Sequence, residues 1–488
     1  MPSESMSIAK DVREELEKLL EMVMDDSRTR RTADEVERSL WKGVLALGRL
    51  LMQLFFTAQS EREKKHKHLE IEGISYKHEG QARRHYVSLF GRVEVKRHYY
   101  WKKGQGGKHP LDEKLSIPER VYSDCVQELM GAMEVCITQD KTLELIKDWF
   151  GLDIPKKSLQ DSTADQAAYV AGYYAQQVAP EVREEDTIVV VTADGKGIPM
   201  TRQDSPPPEA RRSRGQQKTA KKDATVTAIY TISPYQRCSD DIIRALLPTQ
   251  VPDVASQILR PTPTGKQVFG TLAGQEAAFE HLLEQAARRD SRQLTHTVAL
   301  TDGNRGLKKQ VLDKFPQFTL IVDMMHVMEY LWQAANTLLG ETHFMREVWM
   351  HDALRCLLED DLDRLLKHLE QHCLSLPKRK RARLNKVINY LRNNRAHMDY
   401  QSYLAHGYPI GTGVIEGACR HLVKDRFEQT GMHWSLQGAQ VMLDLRATHL
   451  NGDWADFQKY RRHQVHTQRY GSSHPDVLPE EIMLSQVA

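Results

Sequence analysis

The chain has 488 residues, 40% of them hydrophobic and 27% charged, with a formal net charge of +2. That length allows two to four domains, and the composition is that of a folded globular chain rather than a disordered one. So small a net charge does not announce a polyanion-binding protein. The 6 cysteines include no Cys-x-x-Cys pair, which argues against a zinc ribbon and suits reduced thiols in a cytosol.

No secretory pattern opens the chain. Residues 8 to about 70 read as helical, with Leu40, Val44, Leu47, Leu51 and Phe55 at helical spacing. Lys42, Arg49 and Gln53 interrupt the apolar stretch Leu40 to Phe56, so it is expected to be a core helix and not a membrane span. The period changes near residue 71. Val87, Leu89, Val93, Val95, Arg97 and Tyr99 alternate around Phe90-Gly91-Arg92, which predicts a hairpin ended by Gly104 to Gly107. Its polar face would carry Arg92, Lys96 and His98, either as a solvated ribbon or as a DNA contact. From Val121 to about Gln177 the pattern is helical again. A helix closed by Gly151 is followed by one started by Pro155, which is a helix-turn-helix pattern or an ordinary helical hairpin. Lys156, Lys157, Ser158 and Gln160 fall where base-edge contacts usually originate.

Three acidic residues stand in distinctive settings. Asp194 follows Ile188-Val189-Val190-Val191-Thr192-Ala193, and Asp302 follows Val298-Ala299-Leu300-Thr301; each apolar run has strand length and leads into glycine. Glu416 lies in the first turns of a helix for which Thr412 is a candidate N-cap. A buried strand ending in Asp-Gly delivers a carboxylate to the rim of a sheet. Asp-Gly also opens hairpin turns. Here, however, Asp194 runs on into Gly195-Lys196-Gly197 rather than a matching partner strand, and Asp302 into the helix start Asn304-Arg305-Gly306-Leu307. Three such carboxylates can hold two divalent ions and run an in-line displacement at phosphorus.

Between these landmarks, Ala224 to Ile232 is a second strand, preceded by an exposed connector with Pro206-Pro207-Pro208. Its basic run is Arg211, Arg212, Arg214, Lys218, Lys221 and Lys222. Gln275 to Arg289 is helical, and Phe318 to Val322 is a further strand ending at Asp323. Residues 326 to about 405 read as almost wholly helical, with Leu354, Leu357, Leu358, Leu362, Leu365 and Leu369 in phase. Asp323-x-x-His326 offers a metal ligand, a proton relay, or a satisfied histidine at a strand–helix junction. Arg420 and Lys424 recur at i+4 and i+8 from Glu416 and would share its face. Two more basic runs, Lys378 to Lys386 and Lys459 to Arg469, are solvated surface or phosphate contacts. Trp434 is a base-stacking or a packing residue.

In order, Thr192-Ala193-Asp194-Gly195-Lys196-Gly197, Leu300-Thr301-Asp302-Gly303-Asn304-Arg305-Gly306-Leu307 with Phe315-Pro316, Asp323-Met324-Met325-His326 and Gly411-Thr412-Gly413-Val414-Ile415-Glu416-Gly417 resemble bacterial insertion-sequence transposases of the DDE type. The likeness is to the Kra-type branch, kin to mutator-like transposases, over roughly residues 80 to 455; Val87 to Tyr100 with Leu111-Asp112 looks like their hairpin segment. Relatives often carry Cys-x-x-His where this chain has Asp323-x-x-His326, which leaves the role of Asp323 open. Many have a cysteine pair after the hairpin; Trp101 to Gly107 has none.

The resemblance implies an α/β chain with an RNase H-like catalytic domain interrupted by an all-helical insertion and preceded by a helical and β-hairpin DNA-binding region. The expected parts are a helical arm over 1–75, the DNA-binding region over 76–182, catalytic segments over 183–328 and 409–452, the insertion over 329–408, and a basic tail over 453–488. Asp194, Asp302 and Glu416 become the catalytic triad and hold two Mg²⁺ (or Mn²⁺) ions. Lys196, Arg211, Arg212, Arg214, Lys218, Lys221, Lys222, Arg420, Lys424, Lys156 and Lys157 are the DNA-binding candidates. The implied partners are the element's terminal inverted repeats and target DNA, bound by a homodimer or larger assembly in the bacterial cytoplasm with no membrane. The alternatives are an RNase H-like nuclease or junction resolvase, which cuts without joining, and an inactive transposase-derived DNA-binding protein.

Overall fold

The computed structural model describes residues 3–24, 31–177, 186–204, 221–247, 260–289 and 296–471. These fall into two compact units, one formed by residues 1–175 with 453–488 and the other by residues 176–452.

In the first unit, helices α1 (Glu4–Met24) and α2 (Ala33–Arg62) pack with Gly43 against Leu19. Thr32 and Glu35 cap α2 reciprocally, satisfying two otherwise unpaired N–H groups. The core-helix expectation fails for α2. It buries only Phe56 and Thr57, while Leu40, Trp41, Val44, Leu51 and Phe55 stay exposed. By length and composition α2 also suffices to cross a membrane.

The expected hairpin is part of a four-stranded antiparallel sheet of β1 (His68–Ile71), β2 (Ile74–Ser88), β3 (Gly91–Lys102) and β4 (Gly106–Lys108). The polar run from Lys77 to Arg84 hid the length of β2. Gly106 and Gly107 pair back on β3 rather than ending it. A β-bulge between His78 and Gly80 disturbs the alternation, so Arg97 and His98 are both buried. His98 therefore leaves the polar face to hydrogen-bond His78 at 3.0 Å, and Arg97 pairs with the buried Asp112.

After α3 (Pro110–Lys114), helices α4 (Asp124–Glu134), α5 (Gln139–Phe150) and α6 (Lys156–Ala167) enclose Val126, Met130, Ile146 and Leu159, followed by α7 (Val170–Gln176). Gly151 closes α5 at φ 66°, where a side chain would be strained. Of the stretch expected as a basic tail, Trp454–Tyr470 is a helix with Phe457 buried, and residues 472–488 lie outside the described residues. Three of the helix's cations are paired: buried Arg461 with Asp124 at 3.0 Å, Arg462 with Glu128 at 2.9 Å and Arg469 with Glu119 at 3.6 Å.

The second unit is built on a five-stranded mixed sheet, ordered β7 (Thr264–Thr271), β6 (Lys221–Ile232), β5 (Ile188–Pro199), β8 (His296–Thr301), β9 (Thr319–Val322). The first three strands are antiparallel, and β5, β8 and β9 run parallel. Alternation along β5 serves two cores. Val189, Val191 and Ala193 pack with α9 (Gln275–Ala287) and α10 (Arg305–Lys314) through Phe279, Leu282, Leu307 and Val311. Ile188 and Val190 face the opposite core with α8 (Ser239–Leu246) and the helices that follow β9. These are α11 (Met324–Leu338), α12 (Arg346–Leu358), α13 (Leu362–Ser375), α14 (Lys378–Asn394) and α15 (Tyr400–Ala405).

No strand interrupts the described residues between β9 and Thr412. This helical block shares one hydrophobic core with the sheet, in which Leu354, Leu366 and Leu391 join Val298, Leu300 and Ile321. Beyond it come α16 (Gly413–Ala418), a π-helical stretch over Cys419–Lys424, α17 (Asp425–Phe427) and α18 (Leu436–Leu450). Gly270 on β7 admits this segment; a Cβ there would stand 2.8 Å from Leu422.

Because the core is continuous, the helical block and the sheet should unfold together. Leu391→Ala, at a fully buried site, should cost about 2–5 kcal/mol. Hydrogen exchange should then show β8 and α14 amides losing protection in parallel; loss confined to α14 would identify an independently folding module.

Candidate functional site

The rim of the sheet is set by different devices at each acid. The expectation that β5 ends at Asp194 is not met: β5 runs on to Pro199, and Asp194 to Pro199 pair in register with Lys221 to Val226 of β6. The hairpin partner dismissed from the local sequence therefore exists, beyond a long connector. Asp194 still reaches a rim, because the parallel neighbour β8 pairs with β5 only as far as Thr192. Its carboxylate accepts from its own Gly195 N–H at 2.7 Å and from the Cys419 thiol at 3.6 Å.

Asp302 follows the last residue of β8 and accepts from the Asn304 N–H at 2.7 Å. Asn304 in turn caps α10. Tyr390 of α14 donates its hydroxyl to the Asp302 carbonyl at 3.0 Å, and Gly303 turns at φ 82° beneath it. Burial pushes the Asp302 carboxyl above its usual range, and the negative charge of Asp194 adds to the rise against the Asn304 hydrogen bond.

Asp323 caps α11 and is fully buried. It accepts from the N–H groups of Met325 (3.2 Å), His326 (3.3 Å) and Thr412 (3.1 Å), and from His326 Nδ1 at 2.6 Å. Burial works against the charged form, yet the hydrogen bonds from His326 and Thr412 hold the carboxyl below its ordinary range. The same bond raises His326 to about 9. Glu416 is exposed, accepts from the Thr412 hydroxyl at 3.4 Å, and forms with Asp323 and His326 a group whose ligand atoms lie within 4.8 Å of one another.

Cys419, three residues beyond Glu416, joins the cluster to β5. Burial raises its thiol far out of the ordinary range, helped by the charge of Asp194 and, less, of Glu416. Cys419 and Tyr390 were not singled out from the sequence, whereas the helix start read at Asn304 is met by its N-cap role. The i+3 spacing of Glu416 and Cys419 signalled a shared helix face; nothing local pointed to Tyr390.

The cationic candidates divide. Lys196 lies close enough to Cys419 to oppose the rise of its thiol. Lys221 and Lys222 belong to β6 rather than the connector, and Lys221 pairs with Glu428 at 2.6 Å. Arg211, Arg212, Arg214 and Lys218 lie outside the described residues. Arg420 and Lys424 lie in the π-helical stretch that follows α16, and Arg420 approaches Asp425 at 3.7 Å. In the other unit, Lys156 and Lys157 pair with Asp140 and Asp161. Trp434 packs on Phe427 and under the buried Arg426 guanidinium.

No known family model matches the chain, and no curated protein matches it. Among solved structures it is similar to a Drosophila P element transposase strand transfer complex, at 9% identity and a TM-score of 0.31, over 70% of this chain and 95% of that one. A likeness of that size fixes neither fold nor function.

The Asp323–His326 bond makes stability depend on pH with a defined sign. His326 has a raised folded value, so its contribution is complete below about 6.5 and lost as pH rises through about 9. Asp323 has a lowered one, so its contribution is present above 3.8 and lost on acidification. In EDTA, the melting-temperature gap between the parent and His326→Gln should narrow between pH 6.5 and 9.5; a constant gap would show that the pair does not exchange a proton on folding.

Proposed function

We propose that this chain is a DNA transposase of the DDE type, from the Kra-type branch of bacterial insertion-sequence enzymes. It binds the ends of an insertion sequence and catalyses DNA cleavage and strand transfer. The observation that carries the reading is the assembly of acids from separated segments at one rim of a mixed sheet. Cys419 bridges the Glu416 helix to Asp194, and Asp323 ties the Glu416 segment to the strand beside Asp302. The sheet order, three antiparallel strands followed by two parallel ones, supports an RNase H-like catalytic domain.

The donor set suits a hard divalent cation. Asp302 carries a raised carboxyl beside the charge of Asp194, a repulsion that a cation relieves. Asp194, Asp302 and Glu416 would hold two Mg²⁺ or Mn²⁺ ions. Those ions supply the charge that activates an attacking hydroxyl and stabilises the leaving oxygen. Asp323, whose carboxylate already accepts four hydrogen bonds, serves as a strut that aims His326 and fixes Thr412. His326, held protonated near neutrality, places a positive charge beside Asp302 where a phosphate oxygen would lie. In this reading Lys196 and the connector cations grip the DNA backbone, and two protomers bring two element ends together in the bacterial cytoplasm.

Asp194→Asn, Asp302→Asn and Glu416→Gln should each lower cleavage and strand transfer by roughly 10³-fold or more while leaving DNA affinity nearly intact. Asp323→Asn should give a partial loss, and Asp425→Asn little change. The assay uses labelled DNA from the boundaries of the gene's own element, with Mg²⁺ or Mn²⁺. Cleavage without joined product would make the chain a nuclease or resolvase. Tight DNA binding by the parent with no cleavage would make it a DNA-binding protein only.

A further inference from the structure

Helix α14 begins Lys378-Arg379-Lys380-Arg381-Ala382-Arg383, with no acid in its first turn and no side-chain cap. Cations there oppose the helix dipole, so folding alone does not favour them. All five are exposed. Arg381 is used internally, donating to the Leu374 and Leu376 carbonyls at 3.0 and 3.2 Å. Lys378, Arg379, Lys380 and Arg383 have no carboxylate partner among the described residues. At the other end of the same helix, Arg392 pairs with Glu370, and Arg395, just beyond, pairs with Asp363. Mid-helix, Lys386 stands over the Tyr330 ring at 5.8 Å, so among the described residues the cations of α14 without a protein contact of this kind gather at its N-terminal end.

The helix is rigidly tied to the candidate site. Leu384, Val387, Ile388 and Leu391 are buried in the core shared with the sheet. Tyr390 stacks on Tyr330 at 3.7 Å and bonds the Asp302 carbonyl, while Lys308 donates to the Asn393 carbonyl and Asn394 side chain at 3.0 and 2.9 Å. At ~1.5 Å of rise per residue, Arg383 lies about 10 Å and Lys378 about 18 Å along the axis from Tyr390.

We infer that the N-terminal half of α14 is a phosphate-tracking surface for duplex DNA leaving the candidate site. With phosphates ~3.4 Å apart along each strand, the four open cations would meet about the third to fifth phosphate from one positioned at Asp302. They contact backbone and not bases, so the surface adds affinity without sequence preference. The inference rests on the proposed DNA-processing role and adds to it the place where flanking DNA runs.

The test compares the full-length parent, a Lys378→Gln/Arg379→Gln/Lys380→Gln/Arg383→Gln variant, and an Arg392→Gln/Arg395→Gln control, using a fluorescent 30-base-pair duplex over a range of salt. Glutamine keeps helix propensity, so the fourfold variant should melt no lower than the parent. Its slope of log affinity against log salt should fall by about 3 to 4, at ~0.9 per phosphate contact, while the control changes by less than about 1. Equal slopes for parent and fourfold variant, or an equal loss in the control, would overturn the inference and leave the carboxylate site untouched. A parent that binds no duplex would overturn both this inference and the transposase reading. Mn²⁺ binding at the acids, followed by calorimetry, should be the same in all three proteins.

Discussion

A single carboxylate closes the second unit. The chain leaves the sheet at Asp323 and returns at Thr412, and the two are 89 residues apart in sequence. What joins them is the Asp323 side chain, which caps the departing helix and accepts the N–H of the returning segment. Met324 N–H to the Ile410 carbonyl at 2.9 Å and Tyr400 hydroxyl to the Val322 carbonyl at 2.7 Å reinforce the closure. An uncompensated buried carboxylate would be costly, and four donors remove that cost. The position of Glu416 is then a consequence: it lies one helical turn past Thr412, so whatever fixes Thr412 fixes Glu416. The long helical excursion can vary in detail without moving the acid, provided that its two ends stay stapled.

Much of this arrangement was legible in the sequence where short-range signals are strong. The strands ending at Asp302 and Asp323, the glycine-closed helix at Gly151 and the helical block after Asp323 all announce themselves by period and punctuation. The failures share a physical cause. β7 (Thr264–Thr271) and most of β2 are strands whose residues are polar on an open side, so neither shows an apolar run. Asp194 was misread as a strand end because Asp-Gly normally breaks pairing; here the partner strand returns through a connector too long to read as a hairpin. The π-helical stretch after Ala418 leaves no compositional trace. The contribution of Tyr390 depends entirely on tertiary contact.

Charge tells a parallel story. Basic runs that look alike in sequence are put to different uses by the fold. The arginines Arg461 and Arg462 of the Trp454–Tyr470 helix are taken up by Asp124 and Glu128, and the lysines that start α6 by Asp140 and Asp161. Lys221 is held by Glu428. Ion pairs at exposed positions are worth little to stability, but they do lower the local potential offered to a polyanion. A near-neutral net charge is therefore compatible with a strongly biased surface, provided that pairing is uneven.

Asp302, half-buried, and Asp323, fully buried, illustrate how ligand and scaffold can be told apart before any ion is seen. Asp302 and Asp323 each follow a parallel strand, and each meets a desolvation penalty. Their carboxyls nevertheless move in opposite directions, up for Asp302 and down for Asp323. The difference lies in what surrounds the charge. Asp323 has donors on every side, so its ionised form is already satisfied, and an incoming cation would have to displace hydrogen bonds that hold the fold. Asp302 accepts from the Asn304 N–H and feels the charge of His326, yet burial and the charge of Asp194 outweigh both, so its ionised form gains more by meeting a cation. Within the proposed reading, this contrast assigns Asp302 to the ions and Asp323 to the scaffold, although both stand at the same rim and both fit the same sequence pattern.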